Sequence, residues 1–133
     1  MWGIARITPS FEMSSDARYA AGAILALVGA ILAISGALTL RRVKTTVNPM
    51  KPQDSSTFVD RGIFRYTRNP MYLGLLFVLV AWTVFLSAPW AFVGPLAFVL
   101  YMNRFQIVPE ERVLSQLFGE AYAEYKMNVR RWL

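Results

Sequence analysis

Residues 69–103, NPMYLGLLFVLVAWTVFLSAPWAFVGPLAFVLYMN, form a run of 35 positions without a single Asp, Glu, Lys or Arg. A helix crossing a hydrocarbon core of about 30 Å needs roughly 20 residues, so the run is too long for one span and long enough for two short ones. It must fold back. Leu86-Ser87-Ala88-Pro89-Trp90 supplies the place, because a proline ends one helix and suits the first turn of the next. Trp82 and Trp90 match the aromatic belt of a membrane interface. A second charge-free interval, Tyr19–Leu40, covers 22 residues between Arg18 and Arg41 and is long enough to span once. A soluble helical core would leave almost no polar face on residues 71–102, so the pattern favours membrane insertion.

These intervals predict an all-α membrane protein forming a single domain over residues 1–133. It has three transmembrane helices at about 19–40, 70–88 and 89–106 and a C-terminal amphipathic cytoplasmic helix. Hydrophobic residues make up 56% of the 133, high for a water-soluble domain of this size. In span one, Gly22, Ala26 and Ala30, and then Gly29, Ala33 and Ala37, recur at four-residue spacing, which lets helix backbones approach closely in a bilayer. The connector Arg41–Arg68, with Asn48, Pro49, Pro52 and Asp54-Ser55-Ser56, reads as an irregular cytoplasmic loop. Beyond span three, Pro109-Glu110-Glu111 marks a helix start. Leu114, Leu117, Phe118, Ala121, Tyr122 and Tyr125 then share one face, with an interruption near Gly119.

The net charge is +6 and the pI near 10.1, a balance that invites a nucleic-acid partner. Its distribution argues otherwise. With the three spans placed as above, twelve of the fourteen basic residues fall in the 41–69 loop and the tail from Arg104, leaving only Arg6 and Arg18 on the other side. That is the positive-inside pattern with the N-terminus outside and the C-terminus cytoplasmic, as in a bacterial inner membrane. The expected partner is therefore the lipid bilayer, whose anionic headgroups the basic side faces, and no nucleic acid. Cysteine and histidine are both absent, which removes disulfides, thiolate nucleophiles, imidazole bases and the usual zinc ligands, so no metal is expected. The opening residues MWGIARITPSFE lack the basic segment and apolar core of a signal peptide.

Chemistry concentrates at RYTRNPMYLG, residues 65–74. Asn69 is a favoured N-cap and Pro70 a favoured first helical residue, so span two starts here with free backbone N–H groups that attract anions. Arg65 and Arg68 reinforce that attraction, and Gly74 clears a space one turn in. Asn103-Arg104 and the pair Glu110-Glu111 lie at the same membrane face. Carboxylates beside arginines at an interface are either headgroup-level salt bridges or ligands for something charged. An anion-attracting helix start, a carboxylate pair and several tyrosines suit a zwitterionic ligand that carries a flat ring.

Arg68-Asn69-Pro70-Met71-Tyr72-Leu73-Gly74, followed after the hairpin by Arg104, Glu110-Glu111, Leu114, Phe118-Gly119, Tyr122, Tyr125 and Arg130-Arg131, resembles the isoprenylcysteine carboxyl methyltransferase and phospholipid methyltransferase superfamily of integral-membrane enzymes. The resemblance covers about residues 61–131. It implies an S-adenosylmethionine-dependent methyltransferase acting on a small or lipid-like acceptor, a carboxylate, amine or thiol. The implied cofactor site comprises Arg68, Asn69, Pro70, Tyr72, Gly74, Glu110, Glu111 and Tyr122, with the C-terminal helix closing over it. Within it, helix-start N–H groups and Arg68 take the cofactor carboxylate, Glu110 or Glu111 its ammonium, and Tyr72 or Tyr122 its adenine or sulfonium. Arg104 is the candidate catalytic residue, holding an anionic acceptor. The sequence departs from the family turn, which often reads Arg-His-Pro, by having Asn69, which hydrogen-bonds but does not titrate near neutrality. Relatives also tend to carry another span before the region matching WGIARITP, so either a shorter member or a chain lacking an N-terminal helix is expected. Two other functions fit parts of the pattern: a sterol-type membrane reductase using NADPH, and a non-catalytic membrane scaffold.

Overall fold

The structure, a computed structural model, describes residues 1–7, 9–10, 12–43 and 58–133, and among these it contains helices and no strand. A short helix α1, Trp2–Ile7, precedes the long α2, Ser15–Arg42. Ser14 caps α2 by accepting from the Ala17 N–H at 3.3 Å; Asp16 in the first turn and Arg41 and Arg42 in the last oppose the helix dipole with the right signs. At about 1.5 Å per residue its 28 residues reach some 42 Å, enough to cross a bilayer. The expectations for Lys44, Asn48, Pro49, Lys51, Pro52 and Asp54-Ser55-Ser56 in the connector lie outside the described residues.

Helix α3, Pro70–Leu86, returns antiparallel against α2, and glycine sets their separation. Gly22, Gly29 and Gly36 are the buried residues of α2. They recur every seven positions, with Ala26 and Ala33 between them, so the contact seam has a 3.5-residue period and draws one part from each of the two four-residue rows seen in the sequence. A methyl group on Gly29 would lie 2.6 Å from the Gly74 carbonyl oxygen, and one on Gly36 2.9 Å from the Pro70 ring. The backbones touch. At the far end, Arg18 Nη1 donates to Ser87 Oγ at 3.3 Å. Ser87 adopts φ 51 and Ala88 is extended before Pro89, so α3 stops two residues short of the expected 88.

From Pro89 the chain is helical without a break to Phe118, and this differs from the expected end at 106 and restart at 109. A 3₁₀ turn, Pro89–Phe92, leads into α4, Val93–Tyr101; a π-helical segment, Met102–Ile107, then runs into α5, Val108–Phe118. Pro109 explains the π segment. It has no N–H to offer the Phe105 carbonyl and its ring crowds that oxygen, so the ladder widens and Val108 N–H bonds to Asn103 O. Among the described residues two helices, Ser15–Arg42 and Pro89–Phe118, are long and apolar enough to cross a membrane, and Pro70–Leu86 is a shorter apolar helix. Gly119, at φ 56, ends α5 and opens α6, Glu120–Asn128. Because the break resets the helical phase, the expected single face divides: Tyr122 is buried while Leu117 is half exposed.

Gly74→Leu would drive a side chain into the backbone of Gly29 and Ala33, where a methyl already lies 2.8 Å from Ala33 N. Overpacking of this kind costs about 1–3 kcal/mol. Thermal unfolding in detergent should show that loss for Gly74→Leu, and almost none for Gly3→Leu, whose position has nothing within 4 Å.

Candidate functional site

The segment before α3 turns through a 3₁₀ helix, Gly62–Arg65, and delivers Thr67, Arg68 and Asn69 to the point where α3, α5 and the chain's last residues meet. Thr67 is buried; its Oγ1 accepts from Asn69 N–H at 3.2 Å and donates to the Arg131 carbonyl at 3.4 Å. Asn69 stands at the N-cap position, but its side chain makes no cap bond, contrary to expectation. Its Nδ2 instead donates to the Arg131 carbonyl at 2.9 Å, tying the C-terminal strap, residues 129–133, to the start of α3. Arg68 N–H donates to the Arg130 carbonyl at 3.0 Å and completes the tie.

Two carboxylates project here from the first turn of α5. Glu111 Oε1 accepts from Arg68 Nη1 at 2.7 Å, and Arg131 grips the same carboxylate with Nε on Oε1 at 3.1 Å and Nη2 on Oε2 at 2.8 Å. Glu110 Oε1 accepts from the Tyr72 hydroxyl at 2.7 Å and from Gln106 Nε2 at 2.9 Å. Two guanidiniums, both paired with Glu111, and two carboxylates are thus gathered, and burial raises the Glu110 carboxyl above its ordinary range. Arg68 Nε is buried without a hydrogen-bond partner. Tyr122 is 3% exposed and borders this cluster; Phe58 and Tyr125 pack on it with ring centroids 5.9 and 6.0 Å away, and Phe118 packs on Phe58 at 5.4 Å. Burial pushes the Tyr122 phenol up to about 12, the Glu111 charge adding to the rise and Arg68 opposing it. Burial raises Tyr125 further, and its hydroxyl donates to the Phe64 carbonyl at 2.7 Å.

Of the residues singled out in the sequence, Arg68, Asn69, Tyr72, Glu110, Glu111 and Tyr122 converge. Pro70 is buried at the first turn of α3 against Gly36. Gly74 faces α2, not the cluster: its open side is filled by Gly29 and Ala33, so the space it clears admits a helix. Arg104 stands exposed on the π segment and makes no hydrogen bond or ion pair among the described residues. Sequence reasoning missed Gln106, Thr67 and Trp132, and included Arg131 in the family pattern without giving it a role. Gln106 had a signal, four residues before Glu110 on one helical face. No local spacing indicated what Arg131 and Trp132 do, since their partners lie 20 to 64 residues away. No group of three or more His, Cys, Asp or Glu side chains able to hold a metal occurs among the described residues.

The sequence matches the family described as phospholipid methyltransferase over residues 17–121. An uncharacterised protein of Haemophilus influenzae is 49% identical over 63 residues, which is 47% of this chain and the whole of that protein. Protein-S-isoprenylcysteine O-methyltransferase A of Arabidopsis thaliana is 33% identical over 111 residues, 81% of this chain and 55% of that enzyme. Methanethiol S-methyltransferase of Pseudomonas deceptionensis is 31% identical over 93 residues, 68% of this chain and 33% of that enzyme. The chain therefore matches between a third and about three fifths of the length of the methyltransferases it resembles.

A phenol held protonated by burial favours folding below its unfolded value of 10.0, and that contribution is lost as pH rises towards about 12. Chemical unfolding of the wild type should therefore show stability falling across this window, with Tyr122 contributing on the order of 2 kcal/mol. Tyr122→Phe should make the fall shallower; an unchanged slope would contradict the burial argument.

Proposed function

The chain belongs to the phospholipid methyltransferase family, and from that membership and the Arg68–Glu111 cluster we propose that it is an integral-membrane, S-adenosylmethionine-dependent methyltransferase acting on a small or lipid-like acceptor. The observation that carries this reading is the convergence of two guanidiniums and two carboxylates beside a buried tyrosine. The amino-acid end of S-adenosylmethionine has one carboxylate and one ammonium, so a cluster offering two guanidiniums and two carboxylates can match both charges of the ligand. Arg68 Nε, buried without a partner, is an unused donor within reach of such a ligand, and the donor set fits.

Arg68 holds the cofactor carboxylate, Glu110 or Glu111 its ammonium, and Tyr72 or Tyr122 offers a ring face to adenine or the sulfonium. Asn69 keeps the strap against this site, a task that an amide performs without titrating. S-adenosylmethionine, when bound, supplies a methyl group on a positively charged sulfur. The chain's share is to align the acceptor with that methyl and to exclude water, which buried Leu73, Ile107 and Tyr122 favour. Arg104, exposed on the adjoining π segment, is placed to attract an anionic acceptor. Relatives named for a protein prenylcysteine and for methanethiol support a lipid-like or a small acceptor alike.

The membrane reading draws on the outward face of α2, where Ile24, Leu27, Ile31, Ile34 and Leu38 are all exposed, a stripe that water does not favour and lipid does. In this arrangement α2, α3 and the α4-led helix are three spans. The N-terminus is outside, and the arginine-rich cluster lies on the cytoplasmic face of the inner membrane.

Isothermal titration of the detergent-purified chain with S-adenosylmethionine tests the proposal: binding at one site, weakened about tenfold or more by Arg68→Gln, is expected. A folded sample that binds none removes it, and binding of NADPH instead would favour a reductase. In a methyl-transfer assay Arg104→Ala should raise the KM of an anionic acceptor, and an unchanged KM withdraws that role.

A further inference from the structure

Glu111 carries one negative charge and faces two guanidiniums that differ in their surroundings. The Arg68 side chain is 12% exposed and sits at the start of α3, whereas that of Arg131 is 33% exposed and belongs to the strap. The strap is fastened independently of the Arg131 guanidinium. Its carbonyls at 130 and 131 accept from Arg68 N–H, Asn69 Nδ2 and Thr67 Oγ1. Beyond them, Trp132 Nε1 donates to Asn103 Oδ1 at 3.2 Å and the indole packs edge-on to Phe98. The guanidinium is therefore the part of the strap able to change partner without unfolding it. Arg131 also grips Glu111 as a two-pronged fork, the geometry in which a guanidinium holds any carboxylate.

From this geometry we propose that Arg131 is a latch that selects ligands with an α-amino-acid end: its guanidinium passes from Glu111 to the ligand carboxylate while the ligand ammonium replaces it on Glu111. The inference rests on the cofactor reading above. The exchange conserves charge pairing: Glu111 keeps Arg68 Nη1 and exchanges Arg131 for the ammonium, while the incoming carboxylate is shared between Arg131 and the unpartnered Nε of Arg68. Glu111 keeps Arg68 throughout, so no buried charge is stranded during the exchange. A ligand with the same nucleoside and thioether but no amino acid offers neither group, and the latch stays on Glu111. Lysine in place of Arg131 keeps the charge but loses the fork.

The test is calorimetric titration of the full chain in lipid nanodiscs with S-adenosylhomocysteine and with 5′-methylthioadenosine, on the wild type, Arg131→Gln and Arg131→Lys. Arg131→Gln should weaken S-adenosylhomocysteine about tenfold or more and leave methylthioadenosine within about twofold, with Arg131→Lys between. Hydrogen exchange of the strap should be slowed by S-adenosylhomocysteine in the wild type and much less in Arg131→Gln. Equal weakening of both ligands would make Arg131 a structural residue and overturn the latch, as would no weakening of either. A wild type that binds neither ligand overturns the cofactor reading itself, whereas one that binds both while Arg131→Gln changes nothing removes the latch alone.

Discussion

A carboxylate held between two arginines organises the end of this fold where α3, α5 and the C-terminal strap meet. Moving Glu111 out of water is unfavourable unless its charge is paired and its oxygens are satisfied, and Arg68 and Arg131 do both. The three residues come from different parts of the chain: the approach to α3, the first turn of α5, and the strap after α6. Their meeting fixes how those parts approach one another. Glu110, one residue earlier, does the same for Tyr72 and Gln106, so α5 is pinned to α3 through neighbouring carboxylates that point in different directions.

Two features of the helices make that meeting possible. The glycine seam draws α3 onto α2 until backbone meets backbone, which sets where Pro70 and the residues before it emerge. The π segment lets one helix run from Pro89 to Phe118 despite Pro109, and its wider turn carries Asn103 to Trp132 and Gln106 to Glu110. Widened turns of this type often sit at functional sites, and here it contributes Gln106 to the Glu110 side of the cluster and Asn103 to the strap.

Much of the helical layout was legible from charge. The two uncharged intervals located α2 and the α3–α4 hairpin, and Pro89 located its turn, because an apolar run bounded by arginines has few other solutions. Local chemistry was harder to read. Asn69 occupies the N-cap position its type favours, yet its amide is drawn to the Arg131 carbonyl, a partner 62 residues away that no local rule anticipates. Gly74 clears space as glycine does, but for the backbone of α2. Pro109 reads as a helix start because proline suits a first turn, and the continuing helix absorbed it by changing its hydrogen-bond spacing. The proximity of Arg68 to Glu110-Glu111 came from likeness to a family and not from periodicity. Arg131 entered that likeness without a role, since nothing in the spacing of the last five residues reports that they fold back.

The central claim is that Arg68 and Glu111 stabilise one another across the junction of α3 and α5. A double-mutant cycle measures this directly, using Arg68→Gln, Glu111→Gln and the combined variant unfolded in the same detergent. The structure predicts an interaction energy of about 1–3 kcal/mol, the double variant losing clearly less stability than the two single losses together. Losses that add to within about 0.5 kcal/mol would mean the two side chains do not meet, and the cluster would not exist as described.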